Sequence, residues 1–170
     1  LALRSRGLWL GANLITALLA SSVINLFQGT IEKVIFLAVL MPIIASMGGV
    51  AATQTLAITV RGLALGQIVS GNIRWILSRE LIVSFWNGLF WSIILGLIAS
   101  FWFKDFDIFL IIIFSMTINL IAAALSGISI PLVLRKLKFD PAIGGGVIVT
   151  TVTDIVGFFT FLGVASIVYA

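Results

Sequence analysis

Asp154 is the one charged residue in the last apolar run of the sequence, and its surroundings suit a cation. The run extends from about Gly144 to Val168, and its other residues are apolar, small or hydroxylic. In a helix, Asp154 would lie about 15 Å from the start of the run, near the middle of a bilayer's hydrocarbon core. A carboxylate at that depth raises the free energy of membrane insertion by at least about 2.5–3.5 kcal/mol. We therefore expect an ion or proton site; the alternative is a protonated Asp that donates a hydrogen bond to a neighbouring helix.

Residues about one helical turn from Asp154 would add oxygen atoms and open space. Thr150 and Thr151 precede it and Gly157 follows it. Carboxylate, hydroxyl and carbonyl oxygens are the ligands of hard cations such as Mg²⁺, although spacing does not select Mg²⁺ over Ca²⁺ or Mn²⁺. One carboxylate neutralises half of a divalent charge, so a two-fold dimer with this helix at its axis would supply both halves.

Asp140 and Pro141 stand just before this helix, fourteen residues ahead of Asp154. Asp at the N-cap with Pro at the first helical position is ordinary helix-start chemistry. The alternative is that Asp140 is a second cation contact.

A second polar region lies in the apolar run that begins near Val34. Pro42 is followed by Gly48 and Gly49 and then by a polar cluster centred on Gln54. This pattern predicts an interrupted helix, whose freed carbonyls often contact ions in membrane proteins. Gly48, Gly49 and Gln54 are therefore candidate pore-lining residues, the alternative being a kink with close helix packing.

The composition predicts an all-α integral membrane protein. Of 170 residues, 61% are hydrophobic and 9% charged, against about 25% charged in soluble domains. The apolar stretches are continuous, whereas the strands of a membrane barrel would alternate. The chain has no Cys and no His, which excludes disulfides, thiolate or imidazole metal sites and Ser-His or Cys-His catalytic pairs.

Five transmembrane helices are predicted, at about 8–27, 34–60, 81–103, 106–134 and 144–168, in a single domain covering 1–170. A short interfacial helix is expected between Arg61 and Glu80. With the N-terminus cytoplasmic and the C-terminus external, eight Lys and Arg residues fall inside and two outside, which obeys the positive-inside rule. The excess of Lys and Arg over Asp and Glu then reflects the membrane topology, and we expect no nucleic-acid partner. Because the chain starts at Leu1, we expect a fragment of a longer protein.

Several short motifs together resemble the membrane domain of the MgtE family of magnesium channels, over nearly the whole chain. The matching residues are Ser22–Phe27, Glu32, Met41–Pro42, Gly48–Gly49, Gln54, Arg61–Ala64, Leu134–Arg135, Asp140–Pro141, Thr151–Asp154 and Gly157. Val50 and Ala52 depart from the pattern, since the family often has Asn and Gly there.

The resemblance implies a multi-pass protein of a cell membrane, in bacteria the inner one, that forms a homodimer with a pore along its axis. It implies that Mg²⁺ is both the transported ion and the ligand, that Asp154 holds hydrated Mg²⁺ at the pore centre, and that Asp140 lies at the cytoplasmic end. It further implies cytoplasmic Mg²⁺-sensing domains ahead of this segment.

The leading hypothesis is thus a divalent-cation channel selective for Mg²⁺, and not an enzyme. The alternative is a secondary carrier that exchanges a divalent cation for H⁺ or Na⁺, because a proton could also neutralise Asp154. An intramembrane aspartyl hydrolase would need two facing carboxylates, and no substrate groove is evident in the sequence. A purely structural membrane module is the remaining alternative.

Overall fold

Six helices make up nearly all of the chain in a computed structural model that describes residues 2–170, with side chains from residue 6 onwards. They are α1 (Ala2–Leu26), α2 (Gln28–Lys33), α3 (Phe36–Ala64), α4 (Ile73–Phe103), α5 (Asp107–Lys136) and α6 (Pro141–Val168). All but α2 are long and apolar enough to cross a membrane. This confirms the predicted all-α architecture with five candidate spans. Leu1 and the side chain of Arg4, both used in the sequence predictions, lie outside the described residues.

Helices α3, α5 and α6 form the centre of the bundle, because each of them packs against the other two. Helix α4 lies along α5 and scarcely touches α3, while α1 lies along α6. The central trio therefore determines where Asp154 sits, while α1 packs on its α6 member and α4 on its α5 member.

The two ends of the bundle differ in charge. The end that carries the connections 65–72 and 137–140, called the basic end here, holds Arg135, Lys136 and Lys138. At the opposite end the rings of Phe36 and Phe103 stack with centroids 4.7 Å apart. There the Tyr169 hydroxyl donates a hydrogen bond of 2.9 Å to Asp105 Oδ2. Burial and this bond raise the pKa of Tyr169. The bond ties the end of α6 to the α4–α5 connection.

Helix α3 is continuous through Pro42, so the predicted interruption is wrong. The proline lies on the exposed side of the helix, where its ring does not displace a neighbouring helix. A proline removes one backbone donor, and membrane helices tolerate this where local adjustments satisfy the freed carbonyl. The glycine pair that follows does not break the helix either.

The connection between the second and third spans is shorter than predicted. Helix α3 continues to Ala64 and α4 already begins at Ile73, so the expected interfacial helix is the first part of α4. The side chain of Asn72 stabilises the 65–72 connection by two hydrogen bonds. Its Oδ1 accepts one from the Val69 N–H at 3.0 Å, and its Nδ2 donates one to the Gln67 carbonyl at 2.8 Å. The short helix α2 was not predicted.

Candidate functional site

Asp154 lies half-buried on α6, in a row of residues spaced four apart. Gly146, Thr150 and Asp154 form this row, called the Asp154 row here, and all three are partly exposed in the single chain. A Cβ added at Gly146 would meet no atom within 4 Å. The row is therefore open, in contrast to the neighbouring row Gly145, Val149, Thr153 and Gly157, which is buried against the rest of the bundle.

The other spans bring no positive charge to this depth. The sequence has no Lys or Arg in residues 7–26, 36–60, 81–103 or 108–134, and Asp154 is the one charged residue of 141–168. A carboxylate inside a membrane is compensated by a proton, a cation or hydrogen bonds. A salt bridge within the apolar parts of the same chain is excluded, so any positive charge that compensates Asp154 has to come from outside these segments.

The threonines near Asp154 direct their protons into their own helix. Thr150 Oγ1 donates to the carbonyls of Gly146 and Val147 at 2.8 and 3.1 Å, and Thr151 Oγ1 donates to Val147 at 2.7 Å. A hydroxyl has one proton and two lone pairs. Both oxygens therefore remain able to accept a hydrogen bond from water or to face a cation.

Helix α3 presents bare backbone to the Asp154 row. A Cβ added at Gly49 would lie 3.9 Å from Thr150 Cγ2, which is ordinary van der Waals contact. On the neighbouring buried row, Gly145 faces Leu56, so α3 and α6 run antiparallel. Gly49 thus lies beside the predicted site. Because it has no side chain, it leaves room next to Thr150.

Gly48 and Gly157 face the interior of the chain. Both point at the side chain of Asn119 on α5, and a Cβ added at Gly157 would lie 2.7 Å from Asn119 Nδ2. Both glycines are buried. Within one chain, the two glycines allow α3 and α6 to pack closely around Asn119. That they line a pore stays a prediction.

Gln54 lies away from the Asp154 row, on the other side of α3. It is exposed and lines a groove of about 480 Å³ between α3 and α4, together with Ser84, Asn87, Arg79 and Glu80. The structure therefore does not bring Gln54 and Asp154 together within one chain, and a pore-lining role for Gln54 stays a prediction.

Asp140 caps α6, as expected from the Asp-Pro pair. Its Oδ1 accepts a hydrogen bond of 2.9 Å from the Ala142 N–H, and Pro141 is the first residue of the helix. The side chain is exposed at the basic end. Fourteen residues of helix place it about 21 Å from Asp154 along the axis, so the two carboxylates of one chain cannot bind the same ion.

A ready-made metal centre is absent from residues 2–170: no three acidic side chains come together in a way that could hold a metal ion. One chain thus offers Asp154 with hydroxyl and carbonyl oxygens around it, and no complete set of protein ligands. Such a site suits an ion that keeps its own water, or one shared between chains.

Comparison with known proteins bears on what this site does. The sequence model of the MgtE family, described as a divalent cation transporter, matches residues 41–164. The chain belongs to the MgtE family. It is a multi-pass protein of the bacterial cell membrane, in a family of transporters and not of enzymes.

Curated MgtE relatives extend the match over more than nine-tenths of the chain. The magnesium transporter MgtE of Bacillus subtilis is 32% identical over 93% of this chain. Those of Enterococcus faecalis and Thermus thermophilus are 27% identical over 93% and 92% of it. The chain spans 35% of the length of each relative, which is about a third.

Two features of this MgtE-family chain were missed by the sequence predictions. Gly146 was not recognised as part of the Asp154 row, although it lies four residues before Thr150 and eight before Asp154, on the same face of a helix. Asn119, whose Nδ2 donates a hydrogen bond across helices to the Ile44 carbonyl, was not among the candidate residues. Its place between two candidate glycines could not be predicted, because it depends on which helices are neighbours.

Proposed function

We propose that this chain is the pore-forming part of a Mg²⁺ channel, in which two copies place the Asp154 rows of their α6 helices around a common two-fold axis. Support comes above all from one observation: Asp154 lies open on α6, while the apolar parts of the spans, residues 7–26, 36–60, 81–103 and 108–134, carry no Lys or Arg to neutralise it. Membership of a family of divalent-cation transporters supports a divalent ion as the missing charge. Two chains would supply two carboxylates, which match the charge of one such ion.

The ion in this proposal passes with its water shell. Mg²⁺ loses water reluctantly and prefers oxygen ligands. Thr150 and Thr151 retain lone pairs that can accept hydrogen bonds from ion-bound water. Gly49 and Gly146 would leave width for that shell, since neither carries a side chain into the space beside Thr150. In this arrangement the carboxylate acts mainly through its charge and through bonds accepted from water.

Asp140 is proposed to act at the entrance on the basic end, which is the cytoplasmic side in the predicted topology. One of its oxygens accepts the Ala142 N–H bond, and the other is free to attract a cation near the three basic residues of the 135–138 segment. Gly48 and Gly157 would then shape the pore mainly by setting the positions of α3 and α6, while Gln54 would line the pore only if the α3–α4 groove forms part of it.

The test is Mg²⁺ flux into liposomes for the wild type and Asp154→Asn at equal amounts of reconstituted protein. Asn keeps the shape and hydrogen-bonding capacity but removes the charge, so we expect most Mg²⁺ flux and selectivity to be lost while the protein still folds. Asp154→Glu should keep part of the flux. Asp107→Asn removes an exposed carboxylate at the opposite end and serves as the matched control. Unchanged flux, affinity and selectivity in Asp154→Asn would refute the proposal.

The alternative function is a carrier that exchanges the cation for H⁺ or Na⁺. The observation in its favour is the lone carboxylate, which a proton could neutralise in turn. Flux that saturates and follows an imposed H⁺ or Na⁺ gradient would support the carrier. Flux that follows the Mg²⁺ gradient and the membrane potential alone supports the channel.

A further inference from the structure

Asn119 is a fully buried amide at the junction of the three central helices. Its side chain is 0% exposed, and its Nδ2 donates a hydrogen bond of 3.2 Å to the carbonyl of Ile44 on α3. Its Oδ1 has no hydrogen-bond partner among the described residues. A half-satisfied amide is costly in a low-dielectric interior, so a leucine of similar size would pack there at lower cost. The amide therefore calls for an explanation other than stability.

Two helices expose bare backbone to this amide at the same level. Added Cβ atoms at Gly48 on α3 and at Gly157 on α6 would both overlap Asn119 Nδ2. The overlap involves the end of a side chain that is enclosed on all sides, so it could not simply swing away. Hydrogen is thus the one substituent that fits at both positions while Asn119 is in place.

The same contact fixes the axial position of α6. One turn to either side of Gly157, the buried row of α6 carries Thr153 and Phe161, and both are fully buried. Sliding α6 by one turn, about 5.4 Å, would bring one of these larger side chains against the Asn119 amide. Asp154 is three residues before Gly157 and moves with it.

We propose that Asn119 is a positioning residue that holds α6 at one axial level and so sets the depth of Asp154 in the membrane. It does so from its place between Gly48 and Gly157, with its amide hydrogen-bonded to the Ile44 carbonyl. Buried polar groups are known to specify register at some cost in stability. This inference rests on the proposed function, because it assumes that the depth of Asp154 matters for cation binding.

The first measurement reads the helix register directly. The chain has no Cys, so a Gly49→Cys/Thr150→Cys pair reports the α3–α6 contact by cross-linking within one chain, read on a denaturing gel. The reporter is placed in four backgrounds: otherwise unchanged, Gly157→Ala, Gly157→Ala/Asn119→Ala, and Gly163→Ala. Gly163 lies on the same helix, where a new Cβ would meet Phe27 at an ordinary 3.8 Å, so it is the matched control.

We expect Gly157→Ala to reduce the 49–150 cross-link and the double variant to restore it, because removal of the amide makes room for the new methyl group, which then takes the place of the amide between α5 and α6. Gly163→Ala should behave like the unchanged background. Alanine is a better helix former than glycine, so loss of helix cannot explain a defect. A cross-link unaffected by Gly157→Ala, or not recovered in the double variant, would overturn the positioning role.

The second measurement is Mg²⁺ affinity, by titration and by liposome flux, in the same variants without the added cysteines. Loss of a supporting residue around a metal site typically costs 10–100-fold in affinity, so we expect Gly157→Ala to weaken apparent Mg²⁺ affinity roughly tenfold or more, with recovery in the double variant. Failure of Asp154→Asn to change flux would refute the proposed function but leave the cross-linking result intact. Restored cross-linking without restored affinity would refute the link between register and cation binding.

Discussion

Three consecutive glycines near the start of α6 have different surroundings, although the sequence treats them alike. An added Cβ at Gly144 would overlap the ring of Trp9 on α1, and one at Gly145 would lie 2.9 Å from Leu56 Cδ1 on α3. One at Gly146 would meet nothing. The first two glycines therefore permit helix packing, whereas the third opens the Asp154 row.

Substitution of Gly146 should separate stability from transport. Gly146→Ala should raise stability by about 0.5–1 kcal/mol, because alanine is the better helix former, and should keep much of the Mg²⁺ flux. Gly146→Leu should also fold, yet should block most of the flux by filling the space beside Thr150. Gly145→Ala is the control: it has the same helix gain but requires Leu56 to shift, so its melting temperature should rise by less than that of Gly146→Ala. Full flux in Gly146→Leu would show that the ion does not pass along this row.

At the scale of elements, α3 is where the predicted and observed structures differ most. Proline and a glycine pair weaken a helix in isolation, and the sequence alone indicates a break. In the bundle, Ile44 and Ala52 on the same helix are buried to 0% exposure, and this packing stabilises the continuous helix. Tertiary contacts of this kind cannot be derived from the local sequence, since they depend on which helices become neighbours.

Pro42→Ala tests whether the proline in α3 serves transport. The proline lies on the exposed side of α3, so its replacement should restore a backbone hydrogen bond without leaving a cavity. Proline costs about 3 kcal/mol relative to alanine inside a helix, so we expect a higher melting temperature in detergent and unchanged Mg²⁺ flux. Pro131→Ala is the comparison, because that ring is buried in α5 and its loss removes packing. Reduced flux in Pro42→Ala would indicate that α3 must bend during transport.

The sequence was sufficient for the number and type of the spans and for the Asp140 cap, because both depend on composition and on neighbouring residues. It also led to Asp154, since a lone carboxylate in an apolar run has a known cost. It could not separate the faces of α3: Gly48 lies against Asn119, Gly49 beside Thr150 and Gln54 in the α3–α4 groove. Those assignments require the packing of α3 against α4, α5 and α6.

For the whole molecule, the charge difference between the two ends predicts its orientation. Six of the ten Lys and Arg residues lie in residues 61–79 and 135–138, at the basic end. Single cysteines at Asp107 and Lys136, both exposed, should therefore label from opposite sides of the membrane. Asp107→Cys should react with an impermeant maleimide on intact cells, and Lys136→Cys should react after permeabilisation. Labelling of both from one side would contradict the five-span topology.

The assembly of two chains is the last prediction, and it follows from charge. A divalent ion in a region of low dielectric needs two negative charges, and each chain supplies one carboxylate in its apolar segments. If two Asp154 rows face each other, Gly146→Cys in one chain should be joined to Gly146→Cys in the other by a bifunctional maleimide short enough to span a hydrated ion. Saturating Mg²⁺ should slow the reaction by occupying the path. Ile98→Cys is the control: its side chain is 53% exposed, more than the partly exposed Gly146, but it lies on α4, which packs on α5 away from α6. Equal cross-linking from both positions, or a monomer that transports Mg²⁺ at the wild-type rate, would contradict an axial pore. The divalent ion would then need its second negative charge from the same chain, whose apolar segments hold no carboxylate other than Asp154.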